Sequence, residues 1–291
     1  MTDVVVADAV VAPGQKRLPR TAAMRLLMSP SAIIMVAIVL AAIFAARLTP
    51  YGEADINPLR SLEPPSWDHP MGTDMFGRDV LTRVLYGARL SLTIGLAASG
   101  IGAILGLVIG IAGGYFGRWT DSIAMGIIDV LLAFPGTLLA MVIVAMLGAN
   151  VTNLILAVGV SAVPGFARLV RSQTLSIREA DYVLAARSIG CRPLWIIARH
   201  VFPNLRASLI VYATLNVATS ILVAAGLGFL GLGSKPPTAE WGLMVADGRE
   251  TLEIAWWVTA FPGLAILVTT LVIYTFGEAL NTALEPRRGT S

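Results

Sequence analysis

Residues 90–114 read LSLTIGLAASGIGAILGLVIGIAGG, a stretch without a single charged side chain. A helix needs about 20 such residues to cross the hydrocarbon core of a bilayer. Inside lipid, every backbone N–H and C=O group must find a partner within the protein, and a helix provides these partners itself. The stretch is therefore predicted to be a transmembrane helix, and the chain an integral membrane protein.

Five more stretches meet the same criterion. Hydrophobic residues make up 56% of the 291-residue chain and charged residues 13%, whereas charged residues are roughly 25% of a soluble domain. The sequence therefore predicts an all-α integral membrane fold, with residues 1–30 as a cytoplasmic N-terminal tail and residues 31–291 as one transmembrane domain. The six predicted spans cover residues 31–48, 90–114, 122–147, 152–170, 207–230 and 257–279.

The distribution of Lys and Arg predicts the orientation, because cytoplasmic loops of membrane proteins carry more of both. If the N-terminus lies inside, 14 of the 21 Lys and Arg residues are cytoplasmic and seven are outside. Both termini are therefore expected in the cytoplasm. The net charge of +3 would suit nucleic acid, but the basic residues lie between apolar runs and form no continuous stripe, so no nucleic-acid partner is expected.

Several kinds of chemistry are excluded by the residues present. The chain has one cysteine, Cys191, and two distant histidines, His69 and His200, so neither an internal disulfide nor a metal site is expected. No G-x-x-x-x-G-K-[ST] sequence occurs, and the spaced glycines of residues 226–231 lack the βαβ context of a dinucleotide site. With no persuasive Ser/His/Asp set either, we expect a non-catalytic subunit without a cofactor of its own.

A small residue recurs at every fourth position of the second predicted span, so these residues lie on one helix face. Such a face allows the backbone of another helix to approach closely. The face is interpreted either as packing within this chain, or as contact with a second subunit or the lining of a pore. Its glycines are Gly102, Gly106, Gly110 and Gly114.

One acidic residue, Asp129, lies about two turns inside the third predicted span. A charge in the membrane is costly and marks a candidate functional position. Its depth matches that of Arg168 and Arg171 at the end of the fourth span, so we expect an ion pair with one of them. The alternative is a pore-lining group that meets a charged substrate. Pro135 is predicted to kink the third span.

The cytoplasmic loop over residues 174–206 contains the signals of a short helix. Ser176 and Glu179 have the spacing of a capping box, Gly190 supplies a left-handed end, and Pro193 lies just beyond. These signals predict a helix over residues 177–189. It could lie on the membrane surface, or it could insert into a groove of a partner protein. Its predicted contact face consists of Tyr182, Ala185, Ala186 and Ile189.

This loop resembles the one shared by permease subunits of bacterial ABC importers, in which a Glu-Ala-Ala sequence, a Gly and a Pro have fixed spacing. Ala185-Ala186, Gly190 and Pro203 keep that spacing here. Residues 69–89 and 229–242 are similar to the second, C-type permease subunit of the dipeptide, oligopeptide and nickel branch. The resemblance covers about residues 30–288.

The resemblance implies a type I ABC importer permease fold in the bacterial cytoplasmic membrane. It implies a homologous second permease subunit, two ATPase subunits that bind ATP and Mg, and an extracytoplasmic substrate-binding protein, for import of peptides or related small solutes. The helix over residues 177–189 would couple to the ATPase, together with Pro203. An external docking surface or gate would be formed by Asp74, Arg78, Asp79 and Trp241.

The sequence departs from the family pattern at four positions. Leu184 replaces the usual Glu of the loop, His200 and Phe202 replace Ile and Leu, and Ala224 stands where an acid is expected, which indicates a less negative pore. A stand-alone secondary transporter or channel is the alternative function, and inverted repeats with charged residues at mid-membrane would favour it. A membrane scaffold or receptor is a third class.

Overall fold

The computed structural model describes residues 28–284. Most of the predicted N-terminal tail and residues 285–291 lie outside this range. The described residues form eleven α-helices: α1 (Pro30–Ile43), α2 (Ala45–Leu48), α3 (Val80–Phe116), α4 (Arg118–Leu132), α5 (Gly136–Leu147), α6 (Val151–Arg178), α7 (Asp181–Ser188), α8 (Pro193–Ile196), α9 (Phe202–Phe229), α10 (Trp241–Asp247) and α11 (Trp257–Leu284). Short 3₁₀ turns and one π-helical segment, Ile197–Val201, complete the structure.

All six predicted spans fall on helices, but their lengths differ from the prediction. Among the described residues, α3, α6, α11 and the continuous helical run Pro193–Phe229 are long and apolar enough to cross a membrane. The pair α4 and α5 makes a fifth span if it is counted as one bent element. The predicted first span divides at Phe44 into α1, of 14 residues, and the short α2, so α1 alone is shorter than a usual span.

The bend in the third span is sharper than a kink. The axes of α4 and α5 differ by 87°, and the break lies at residues 133–135, immediately before α5 begins. Pro135 causes it, since a proline disfavours a helical conformation for the residue before it and cannot donate a backbone hydrogen bond. In contrast, α6 continues through Pro164 and α11 through Pro262.

The glycine face of α3 packs against α6, which confirms packing within this chain. A Cβ atom built on Gly106 would lie 2.3 Å from the Cβ of Phe166, and one on Gly110 would lie 2.7 Å from the carbonyl oxygen of Ala167. Gly102 and Gly114 are also blocked, and all four glycines are buried. The backbones of α3 and α6 therefore approach closely along most of their length, as small residues allow in membrane helices.

A cap closes the bundle at the end where α3 begins. We use this name for residues 49–79 together with residues 231–256. Its apolar core joins Val84 and Ala88 of α3 to Trp241, Met244 and the first turn of α11. At the opposite end of the bundle, α7 packs beside the end of α3. The structure thus has two distinct ends, and each contains residues that the sequence marked as functional.

Candidate functional site

The short helix that follows α6 begins later than the sequence predicts. α6 continues through Ser176 to Arg178, so Ser176 is not a helix cap and the predicted capping box is wrong. Arg178 holds the extension in place by donating a hydrogen bond to the carbonyl oxygen of Gly114, over 3.1 Å. The separate helix is α7, whose eight residues follow Ala180 and extend about 12 Å.

One side of α7 is buried against the bundle and the other is open. Val183 and Ala186 are completely buried, in a cluster that includes Tyr115 of α3. Ala185 and Leu184 point away and are exposed. The predicted contact face is therefore divided, because Ala186 packs inward while Ala185 and Ile189 remain accessible. Tyr182 is partly buried in the same cluster. The open side offers Asp181, Leu184, Ala185 and Ser188.

Gly190 ends α7 in the way that the sequence predicts. Its φ angle is +83°, a conformation that side-chain-bearing residues rarely adopt. The next residue, Cys191, donates its backbone N–H to the carbonyl oxygen of Ala186 over 3.1 Å, which satisfies a group that the helix end would otherwise leave free. The chain then turns into α8, and Pro203 occupies the first turn of α9.

The intramembrane ion pair forms with one of the two predicted arginines. Arg168 of α6 donates to Asp129 of α4 over 2.8 Å, as predicted. Arg171 does not take part, because both of its contacting nitrogens donate to Asp121, at 2.5 and 2.6 Å. The two pairs differ in exposure. The side chains of Asp129 and Arg168 are 63% and 57% exposed, whereas those of Asp121 and Arg171 are 22% and 32% exposed.

The charged residues expected to form an external docking surface are buried inside the cap. Arg78 donates to Asp74 over 2.6 Å, and Nε of Arg83 lies 3.7 Å from the same carboxylate. All three side chains are at most 7% exposed. Because both side chains are buried, the prediction that Asp74 and Arg78 form a docking surface is wrong. They form an ionic centre that fixes the shape of the cap.

Asp79 and Trp241 are also structural residues of the cap. Asp79 caps α3 by accepting from the backbone N–H and the hydroxyl of Thr82, each over 2.7 Å. His69 lies 2.9 Å from the other oxygen of Asp79. Trp241 is 2% exposed. Because both residues are buried, neither offers a surface to a partner, and their local sequence pattern gave no sign of this burial.

Glu240, which is 1% exposed, was not identified from the sequence. Its carboxylate accepts from the backbone N–H groups of Gly242 and Leu243, at 2.8 and 2.9 Å, and so caps α10. Burial raises the pKa of the Glu240 carboxyl above its ordinary value. A carboxylate just before an apolar helical segment is the signal that could have indicated this cap. Arg83 and Asp121 were missed as well.

Within residues 28–284, no group of three or more His, Cys, Asp and Glu side chains has the geometry of a metal site. Instead, the bundle carries a firmly anchored short helix at one end and a rigid cap at the other. Between them, an accessible ion pair joins α6, which is long enough to cross a membrane, to α4, the first part of the bent pair.

The comparison with known families and relatives agrees with this description. Residues 102–290 match the family described as binding-protein-dependent transport system inner membrane component. The chain is 45% identical over 255 residues to the dipeptide transport system permease protein of Alkalihalophilus pseudofirmus, covering 88% of this chain and 84% of that one. It is 42% identical over 258 residues to a glutathione transport system permease protein of Escherichia coli, covering 88% and 85%.

The solved structures support the same fold. The MetNI methionine ABC transporter in an inward-facing conformation has a subunit that superposes with a TM-score of 0.56 at 18% sequence identity. The similarity covers 70% of this chain and 96% of that subunit. The fold is thus that of a type I importer permease. The chain belongs to the binding-protein-dependent transport system inner membrane component family, and it is a multi-pass inner membrane permease subunit of an ABC importer.

Proposed function

We propose that this chain forms half of the pore of an ATP-driven importer of short peptides. The observation that carries the substrate class is the 45% identity, over most of both chains, to a permease named for dipeptide transport. A relative named for glutathione transport, itself a peptide, supports the same class. Both termini lie in the cytoplasm in this proposal, as the distribution of Lys and Arg favours.

The working complex contains a homologous second permease subunit, two ATPase subunits and an extracytoplasmic substrate-binding protein. The ATPase subunits bind ATP and Mg, which agrees with the lack of a phosphate-binding loop in this sequence. The open side of α7 is the contact with an ATPase subunit. Leu184, 45% exposed, makes that contact more apolar than the Glu found at this position in the family pattern.

The anchoring of α7 explains how a conformational change in the ATPase would be transmitted to the pore. Val183 and Ala186 are buried against the ends of α3 and α9, so a displacement of α7 must also displace the bundle. Transport is coupled to ATP if the ATPase contact has different free energies in the two pore states. Gly190 has a positive φ, and no atom lies within 4 Å of where a Cβ on it would be, so any effect of its replacement acts through the backbone.

The test is uptake by the purified complex. The tagged chain is co-expressed with candidate second-permease and ATPase subunits, purified in mild detergent, and reconstituted into liposomes that receive labelled dialanine together with the substrate-binding protein. We expect co-purification of two ATPase subunits and a second permease, and uptake that requires ATP. Uptake by this chain alone without ATP would instead support a stand-alone transporter or channel and would overturn the proposal.

Variants of Gly190 then test the role of α7. Gly190→Val should reduce uptake per ATP hydrolysed at least tenfold while the complex still assembles, and Gly190→Asn should retain more, since Asn tolerates positive φ better. Gly231→Val is the matched control, because Gly231 has a φ of +76° and equally open surroundings but lies in the cap. Equal uptake by the wild type and Gly190→Val would contradict the role of α7.

A further inference from the structure

A stripe of polar side chains lies along one face of α6, which is open to the outside from Arg168 to the end of the helix. Arg168, Ser172 and Ser176 recur at intervals of four residues, and all three are exposed. Ser161, two turns earlier on the same face, is half-buried. Of the three exposed members, Arg168 lies within the predicted span of residues 152–170, where a lipid-facing surface would be apolar. The uncovered face of α11, for comparison, is apolar and carries Leu264, Leu267, Val268 and Leu271.

The ion pair between Asp129 and Arg168 lies on this stripe and is more than half exposed. Charged side chains in membrane helices face the interior of a bundle or a water-filled cavity, because hydrocarbon solvates them poorly. An uncovered charged pair at this depth therefore faces water or a neighbouring subunit rather than lipid. The neighbouring pair of Asp121 and Arg171 is mostly covered by the chain itself.

The exposed pair also has hydrogen-bond donors and acceptors that are not used within the described residues. Within residues 28–284, the only hydrogen bond of the Arg168 side chain is the one from its Nη2 to Oδ1 of Asp129. The guanidinium group has five N–H donors and the carboxylate has two oxygens. By contrast, Arg171 and Asp121 use two nitrogens and both oxygens on each other. The pair of Asp129 and Arg168 can therefore accept further ionic partners.

We infer that Asp129 and Arg168 receive the charged ends of a free peptide on its way through the pore. The carboxylate of Asp129 takes the ammonium group, and the guanidinium of Arg168 takes the terminal carboxylate, a pairing that arginine forms with two parallel hydrogen bonds. The inference rests on the proposed function, which supplies the zwitterionic substrate class. Beyond that function, the inference identifies the residues of this chain that contact the substrate.

The exchange of ion pairs favours transient binding of a peptide over tight binding. When a peptide enters, one ion pair within the protein is exchanged for two between protein and peptide, and when it leaves the first pair forms again. Neither charge lacks an ionic partner before, during or after the exchange. A conducting site must bind well enough to admit a solute and weakly enough to release it. This exchange meets both conditions.

The test compares removal of one charge with removal of both. In the reconstituted complex, Asp129→Asn and Arg168→Gln should each reduce ATP-driven dialanine uptake at least tenfold. An exposed pair contributes little to stability, so if this pair had only a structural role, neither the single variants nor the double variant should slow uptake strongly. A site for peptide termini needs both charges. The double variant D129N/R168Q should therefore remain at least tenfold slower than the wild type.

The matched control is the double variant D121N/R171Q, which neutralises the covered pair on the same two helices and should keep uptake within about twofold of the wild type. Near-normal uptake by D129N/R168Q would overturn the inference. A wild-type complex that fails to take up dialanine would instead overturn the proposed function, so the two failures are distinguishable.

A second measurement tests the aqueous surface independently of transport. In a Cys191→Ser background, which removes the native cysteine, Ser161→Cys should react with N-ethylmaleimide at least tenfold faster than Leu267→Cys in the assembled complex. Ser161 lies on the polar stripe and Leu267 on the apolar face of α11. Equal rates at the two positions would show that the stripe does not face water and would overturn the inference.

Discussion

The indole N–H of Trp241 donates a hydrogen bond to the carbonyl oxygen of Val84 over 2.9 Å, which joins the first turn of α10 to α3. Both residues are buried, and the indole also lies 3.0 Å from where a Cβ on Gly87 would be. The cap is thus fixed to the bundle by a polar contact inside an apolar core. Substitutions at such contacts should change the stability of the chain or its coupling to the ATPase.

Trp241→Phe should destabilise the chain, because it removes the hydrogen bond from the indole to the carbonyl oxygen of Val84 and reduces the size of a buried ring. A lost hydrogen bond of this kind costs about 0.5–1.5 kcal/mol, so the thermal unfolding midpoint in detergent should fall. Trp67→Phe is the control, since Trp67 is fully exposed on the same cap. An equal effect of the two substitutions would show that the contact with Val84 contributes nothing.

Gly106→Ala should also lower the unfolding midpoint. The new methyl group would lie 2.3 Å from the Cβ of Phe166, so α3 and α6 must separate, and overpacking of this kind costs about 1–3 kcal/mol. Gly100→Ala, on the same helix with nothing within 4 Å, should be neutral or stabilising by up to about 1 kcal/mol. Thermal unfolding of both variants measures the difference, and equal midpoints would refute close packing at Gly106.

Adjacent alanines of α7 should give opposite results. Ala186→Leu inserts a large side chain into a fully buried position and should destabilise the chain by about 1–3 kcal/mol. Ala185→Leu changes an exposed position and should alter stability by less than about 0.5 kcal/mol. It should still reduce the amount of ATPase recovered with the purified chain. Full recovery of ATPase with Ala185→Leu would argue against the open side of α7 as the contact.

The stability of the cap should fall as pH rises from the ordinary pKa of a Glu carboxyl to the higher pKa of Glu240 in the folded chain. Its pKa is raised in the folded chain by burial, so the folded state holds this proton more tightly than the unfolded state. The contribution is largest below the ordinary value of 4.5 and is lost as pH rises from there to the folded-state pKa. Unfolding midpoints measured from pH 4 upward should therefore decrease.

Glu240→Gln should make that decrease shallower. Replacing Asp247 by Asn as well should flatten it further, because burial raises the pKa of the Asp247 carboxyl in the same direction. Identical pH profiles for the wild type and Glu240→Gln would show that this carboxyl does not govern the pH dependence of stability.

The sequence predicted features that depend on local composition, on residue spacing or on the conformation of a single residue. Long apolar runs indicate helices, so all six predicted spans fall on helical segments, of which four, or five with the bent pair of α4 and α5, are long and apolar enough to cross a membrane. Gly190 was identifiable because a positive φ strongly favours glycine. The four-residue spacing of small residues in α3 indicated a close helix contact, although the sequence did not show that its partner is α6.

The features that were missed depend on contacts between distant residues. Ser176 and Glu179 have the local pattern of a helix start, but the bond from Arg178 to the carbonyl oxygen of Gly114 keeps α6 helical past Ser176. The charged residues of the cap seemed accessible because local sequence does not show burial. Asp74 is covered only once Arg83, Arg78 and Asp247 gather around it.

The unbroken length of α6 has a mechanical consequence. Its 28 residues extend about 42 Å, which exceeds the roughly 30 Å thickness of the hydrocarbon core. Arg168 lies ten residues before its last residue, and only two residues, Glu179 and Ala180, separate its end from α7. Beyond the two-residue turn that joins α7 to α6, a single unbroken helix thus connects the α7 end of the bundle to the level of Arg168.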